Sequence, residues 1–204
     1  MEVFNINLIV KKVVIVLICM LSISLHQTEA QRFKGSALFG LNLSQIDGDQ
    51  LAGFSKLGWT GGLKLAYPLR DNVDLNMEML YSQRGSTSGF GFGGGNENFT
   101  DLKYIEIPIY LNIMDWKIED GDYFKVKAHG GLSYAYLFDV ESVNGLLSND
   151  INNYKRHNLA YLIGVDYSFN SKIGMTVRYT RAFNSIYTVR AISYFVTVRT
   201  EYTF

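Results

Sequence analysis

Between Val73 and Ser82 the chain alternates strictly: Val73, Leu75, Met77, Met79 and Tyr81 fall on one set of positions, Asp74, Asn76, Glu78, Leu80 and Ser82 on the other. A helix would smear both sets around its circumference, whereas a strand separates them onto two faces. The same period recurs along the chain and predicts eight strands, over about 33–44, 58–67, 73–84, 101–113, 123–138, 157–169, 173–182 and 190–204. Their apolar sets include Ala37-Phe39-Leu41-Leu43, Ile105-Ile107-Ile109-Leu111-Ile113 and Leu159-Tyr161-Ile163-Val165-Tyr167-Phe169. After residue 30 no helix of ordinary length is predicted, and no stretch approaches the eighteen apolar residues of a membrane-spanning helix.

The connections add a second pattern. About 45–57, 85–100, 139–156 and 183–189 are long or irregular, while 68–72, 114–122 and 170–172 are tight. Long loops alternating with short turns are what a transmembrane barrel shows, and an even strand count puts both termini at the short-turn side. The fold expected is therefore all-β: an eight-stranded antiparallel up-and-down transmembrane barrel with periplasmic termini.

Period two also suits a soluble barrel with its apolar face inward. Bulk and charge decide between the two. An eight-stranded barrel has room for only one set of side chains inside, and the many large Tyr, Phe and aliphatic residues on the apolar faces are better placed outward in lipid. The opposite faces carry both signs of charge at strand centres: Lys64, Asp74, Glu78, Glu106, Lys125, Lys127, Asp166 and Arg178, with His129 in phase. Enclosed in a small lumen such groups must pair, so the expected interior is a packed polar network without an open channel.

The first thirty residues read as an address. Lys11 and Lys12 precede an uncharged run from Val13 to Leu25, and Thr28-Glu29-Ala30 gives a small-x-small end before Gln31. That is a secretory signal peptide, too short for a spanning helix, which leaves residues 31–204 as the barrel. Cys19 is the only cysteine and leaves with it, consistent with an oxidising compartment. Lys+Arg and Asp+Glu number 19 each, so no net field favours nucleic acid. Tyr202 and Phe204 end the chain on the face of Ile192, Tyr194, Val196 and Val198. A last strand closed by an aromatic resembles the signal that barrel-insertion machinery reads in the bacterial outer membrane, the expected location.

Tyr104-Ile105-Glu106-Ile107-Pro108, Gly40-Leu41-Asn42 and Gly130-Gly131-Leu132 resemble the PorT-like small outer-membrane barrels of Bacteroidetes-type bacteria. The likeness spans essentially the whole chain after residue 30, in short motifs. It implies a barrel architecture and, at most, a part in a secretion apparatus. Pro108 lacks the N–H a ladder needs, so a bulge or broken pairing is expected there.

Chemistry is sparse. His129 belongs to the interior set, and His157 stands beside Arg156 and Asn158 with no carboxylate at diagnostic spacing. No catalytic set, cofactor site or metal site is expected. Gly89-Phe90-Gly91-Phe92-Gly93-Gly94-Gly95 lacks the following helix of a phosphate loop, and Asp47-Gly48-Asp49 and Asn149-Asp150-Ile151-Asn152 lack the spaced ligands of a calcium site. The second long loop is instead a candidate contact surface through Phe90, Phe92 and Phe99. Lipid, lipopolysaccharide, the insertion machinery and an unidentified envelope protein are the partners expected. Two classes of function follow, a structural or interaction barrel and a small porin-like transport barrel, and the filling of the lumen discriminates them.

Overall fold

Alternating residues with β-branched and aromatic side chains form strands here because each strand has two unlike surroundings, lipid-type packing outside and a polar lumen inside. The computed structural model describes residues 33–48, 53–92, 98–143, 148–187 and 191–204. The signal peptide expected over 1–30, Asp49 and Gly93–Gly95 lie outside the described residues. Eight strands run in chain order: β1 (Lys34–Asp47), β2 (Lys56–Arg70), β3 (Val73–Thr87), β4 (Phe99–Ile118), β5 (Tyr123–Val143), β6 (His157–Ser168), β7 (Ile173–Ala182) and β8 (Ile192–Thr203). Each pairs antiparallel with the next, and β1 pairs with β8 from Ser36↔Thr203 to Asp47↔Ile192, closing the barrel.

The two ends differ. At the terminal end, where β1 begins and β8 finishes, β2–β3, β4–β5 and β6–β7 are joined by short turns, one of them the 3-10 turn Glu119–Gly121. At the other end the strands run past the bounds expected from the sequence, so that β4 begins at Phe99 and β5 ends at Val143. Strand therefore takes up much of what the composition marks as loop.

The apolar sets point out and the polar sets point in. Phe39, Leu63, Met79, Ile109, Leu132, Ile163 and Val177 are exposed on the wall, while Asn42, Lys64, Asn76, Glu78, Asn112, His129, Thr176 and Arg178 are buried within. Aromatic contacts ring the long-loop end, where Trp59 stacks on Phe39 at 5.5 Å, Tyr161 meets Phe183 at 5.4 Å and Phe54 meets Tyr194 at 5.2 Å. Trp116, Tyr167, Phe169 and Tyr202 supply rings nearer the terminal end. An apolar band between aromatic girdles is the surface a bilayer requires.

Pro108 behaves as its chemistry demands. On the β4–β5 side it pairs with Ser133, but on the β3 side the ladder lapses opposite Glu78 and Met79 between Leu80↔Glu106 and Met77↔Ile109, with no change of register. Gly40 and Gly131 answer a packing need. A Cβ at Gly40 would collide with the backbone of Val198 and Arg199, and one at Gly131 with that of Ile109 and Tyr110. Asn42, beside Gly40, donates from Nδ2 to Ser82 Oγ (3.1 Å) and to the Gln83 carbonyl (3.0 Å), and accepts from Thr197 Oγ1 (2.7 Å).

Candidate functional site

The lumen divides into three tiers along the barrel. At its centre Glu78 of β3 is fully buried and receives two guanidinium forks. Arg178 of β7 donates through both Nη atoms at 2.8 and 3.0 Å, and Arg199 of β8 at 2.9 and 2.5 Å. Tyr110 of β4 also donates its hydroxyl to Glu78. One carboxylate so shared by two cations is strongly held, since charge-assisted forks are the strong class of hydrogen bond.

The network continues to His129. Arg178 Nε donates to His129 Nε2 at 3.0 Å, and the Nδ1 side faces Asp166 Oδ2 at 3.2 Å. Guanidinium offers only donors, so Nε2 accepts, and the ring proton sits on Nδ1 and is given to Asp166. Asp166 Oδ1 accepts in turn from Thr176 at 2.6 Å. The ring fits because β6 presents Gly164 there; a Cβ would stand 2.5 Å from Nε2. Both imidazole nitrogens are thus engaged, and neither is free to take a proton from a substrate.

Towards the long loops the lumen closes. Ile46, Leu102, Tyr104, Ala135, Leu137, Tyr154, Ile186 and Ala191 form an apolar plug. Tyr154 donates its hydroxyl to the Ser148 carbonyl at 2.8 Å, and burial pushes this phenol above its usual range, so it remains a donor. Beneath the plug the buried guanidinium of Arg84 lies 4.0 Å from the Tyr104 ring centroid and 4.6 Å from that of Phe195, with Glu106 at 3.9 Å. Glu106 also accepts from Ser133 Oγ at 2.6 Å. Lys56 pairs with Asp101 at 3.1 Å and donates to the Phe92 carbonyl at 2.5 Å, tying the start of the β3–β4 loop to the wall.

Towards the end where β1 begins and β8 finishes the lumen opens into a vestibule of about 710 Å³. Lys64, Asp74, Asn76, Asn112, Lys127, Asp166 and Glu201 line it. Lys64 is ion-paired with Glu201, which also accepts from Ser36 Oγ at 2.9 Å.

Of the residues the alternation puts inside, Lys64, Asp74, Glu78, Glu106, His129, Asp166 and Arg178 are buried, and Lys127 lines the vestibule. Lys125 departs. Its ammonium lies 4.6 Å from the Trp116 ring centroid and 5.7 Å from that of Tyr167, on the wall side. The cause is local: Trp116 adopts a left-handed backbone, φ 59°, between Asp115↔Val126 and Lys117↔Phe124, and the exposed indole offers Lys125 a cation–π partner. Phe99 also departs from expectation. It is not an exposed loop residue but 8% exposed within β4, paired with Thr87 and Val143. Phe92 stacks on Trp59 at 5.1 Å, and only Phe90, 73% exposed, stands clear.

Sequence reasoning missed Arg199, Tyr110, Arg84, Lys56 and Asp101. Inward parity was the signal: Arg199 is in phase with Thr197, and Tyr110 with Asn112. Among the described residues no three His, Cys, Asp or Glu side chains converge as a metal site would need. His157 is exposed and meets Tyr134 Oη at 2.7 Å.

Residues 26–188 match the model of the outer membrane protein beta-barrel domain family. The chain belongs to that family. Its place is accordingly the bacterial outer membrane. Among solved structures this outer-membrane barrel is similar to Neisserial surface protein A, with a TM-score of 0.54, 14% identity, and 84% and 97% of the two chains covered. It is also similar to Ail, the attachment invasion locus protein of Yersinia pestis, with a TM-score of 0.50, 15% identity, and 85% and 99% covered. At these identities the likeness is one of fold. No curated protein matches the chain.

Proposed function

We propose that this outer-membrane barrel is a non-conducting envelope protein whose work is done by contact at its ends, and not a pore or an enzyme. The observation that carries the reading is the double closure of the lumen. The Glu78–Arg178–Arg199 layer crosses its centre, and the Ile46–Leu102–Leu137–Ile186 plug lies above it. An ion traversing the barrel would have to part buried ion pairs and then cross an apolar layer. The short turns support a periplasmic terminal end, with the long loops at the cell surface. In that orientation residues 1–30 are the export signal, and Phe90, which stands clear of the wall, is the residue best placed to meet a partner among the described residues of the β3–β4 loop.

A catalytic role finds no support in His129, whose two nitrogens are taken. Kinship with PorT-like barrels is supported by Gly40-Leu41-Asn42 and Gly130-Gly131-Leu132, where Gly40, Asn42 and Gly131 serve lumen packing. These motifs speak for architecture, and a part in secretion rests on the partner. Planar-bilayer recording tests the reading. Purified barrel should insert without discrete conductance steps, whereas steps that disappear when the lumen is crosslinked would restore the porin-like alternative. Crosslinking in intact cells then identifies the partner.

A further inference from the structure

The β2–β3 ladder ends early. Its last pair is Thr60↔Ser82, although β2 begins at Lys56 and β3 runs on to Thr87. Over that stretch β3 turns in across the barrel mouth. Gly58 permits the crossing, because a Cβ there would collide with the Gln83 carbonyl. The same carbonyl accepts from Asn42 Nδ2, and the Gly85 amide donates to Ser44 Oγ at 2.8 Å, both on the lumen face of β1. Residues 84–87 are therefore buried at every position instead of at alternate ones. Over 56–59, β2 keeps its rungs to β1 on one side and has none to β3 on the other.

The protein covers that edge with its own chain. The Gly91 amide donates to the Ser55 carbonyl at 2.9 Å and the Leu57 amide to the Gly91 carbonyl at 2.7 Å, a parallel bridge of a single residue. Phe92 follows and stacks on Trp59 at 5.1 Å, the rings 17° apart. Gly91 holds φ 133°, a backbone that favours glycine and does not continue a strand. The next two groups along the edge are served by side chains instead. Lys56 Nζ donates to the Leu57 carbonyl at 3.1 Å, and Gln83 Oε1 accepts from the Trp59 amide at 3.2 Å.

The edge thus offers four main-chain groups in a row: the carbonyls of Ser55 and Leu57 and the amides of Leu57 and Trp59. A parallel strand would bond all four, and the strap bonds two. A strand edge is a template for another chain. Addition of an extended segment takes its affinity from main-chain hydrogen bonds and its specificity from side-chain seats. The seat here is Trp59, 45% exposed. The two side-chain stand-ins keep a partner when displaced, since Asp101 holds Lys56 at 3.1 Å and accepts from Gln83 Nε2 at 2.5 Å.

We propose that the β2 edge over 55–59 is a docking site for an extended polypeptide segment of a partner protein, added parallel to β2 with an aromatic side chain on Trp59. The Gly91-Phe92 strap is the tethered stand-in for that segment. The inference rests on the reading of a barrel that works by contact, and it names the chemistry of the contact.

The test uses the mature barrel in lipid nanodiscs, with Trp116→Phe as background so that Trp59 is its one tryptophan. The probe is the capped hexapeptide Ser-Gly-Phe-Gly-Phe-Gly, which copies residues 88–93. Gly91→Pro removes the amide that bonds Ser55 and cannot hold a positive φ, so it releases the strap. A saturable change in Trp59 emission is expected, with at least roughly tenfold higher affinity for the released variant than for the background. On the released variant, N-methylglycine in place of the peptide's second glycine removes the bridging amide, and alanine in place of its second phenylalanine removes the stacking ring. Each should weaken binding roughly tenfold, the order of a lost hydrogen bond or ring contact. Phe92→Ser releases the ring by another route should Gly91→Pro fail to show the heat-modifiable migration of a folded barrel. Three results overturn the proposal: no saturable binding to a released variant, equal affinity for released and background barrels, or equal binding of the N-methylated peptide. None of these bears on the contact reading itself, which falls on conductance steps in planar bilayers.

Discussion

Glu78→Gln is the perturbation that most directly examines the centre of the barrel. The substitution keeps the side-chain volume and one acceptor oxygen. It removes the only carboxylate within ion-pair distance of Arg178 and Arg199 among the described residues, and it turns an NH2 donor towards guanidinium donors. Four N–H···O contacts between 2.5 and 3.0 Å are disturbed, together with the Tyr110 hydroxyl. Summing them singly would overshoot, since one amide oxygen still accepts and side chains relax. Breaking a buried ion pair by removing one partner costs about 3–5 kcal/mol, and that is the loss expected in urea unfolding from lipid vesicles. Trp59 and Trp116, both on the wall, report the transition by fluorescence. The decisive arm is Glu78→Gln with Arg199→Met. With one of the two stranded cations gone, the double variant should lose at least ~1 kcal/mol less than the sum of the single losses. A single-variant loss below ~1 kcal/mol, or strict additivity, would refute the claim that one carboxylate holds two arginines.

The two faces of the wall give a second contrast. Val165→Arg puts a charge on a 50%-exposed wall position beside the central tier and should cost ~2–4 kcal/mol, whereas inward Thr180→Val, which removes a hydroxyl without a partner, should cost less than ~1 kcal/mol in the same assay. Deleting Phe204, whose amide donates to the Gly35 carbonyl at 3.1 Å and whose ring packs on Gly35, should slow insertion and lower the amount of heat-modifiable barrel in outer-membrane fractions. N-terminal sequencing of protein from those fractions should begin at or near Gln31, and retention of Met1 would count against export by a cleaved signal.

The number of strands, their order and the sense of both faces were legible because one period, two, carries all three. Val73–Ser82 alone separates lipid from lumen, and the structure keeps that separation through Leu80, an apolar residue whose inward phase is set by its neighbours. Strand ends were less legible. Phe99-Thr100 and Glu141-Ser142-Val143 pair as strand beyond the apolar stretches that mark a wall. Pairing inside the lumen was not legible at all, since it depends on which strands face one another across the barrel. Glu78 and Arg199 lie 121 positions apart, and Glu78 and Arg178 lie 100 apart. Parity offers each as an interior charge and says nothing of the match. Lys125 shows where parity itself fails: one left-handed residue, Trp116, re-aims the wall and draws the ammonium out of phase.

The filling of the lumen bears on where activity can reside. Lipid claims one face of every strand, so the interior inherits the polar face, and in eight strands it has little room for water. Charges there must find partners within the protein. The buried cations are Lys56, Lys64, Arg84, Arg178 and Arg199, and the buried carboxylates are Asp74, Glu78, Asp101, Glu106 and Asp166. Numerical balance therefore permits complete pairing. Glu78 takes two arginines, Asp101 takes Lys56, Glu106 takes Ser133 and faces Arg84, and Asp166 takes His129 and Thr176. Lys64 is spent on Glu201, a carboxylate of the rim. That choice leaves Asp74 as the one buried carboxylate among the described residues without a cation or hydrogen-bonding side chain, at the open end of the lumen, where it lines the vestibule.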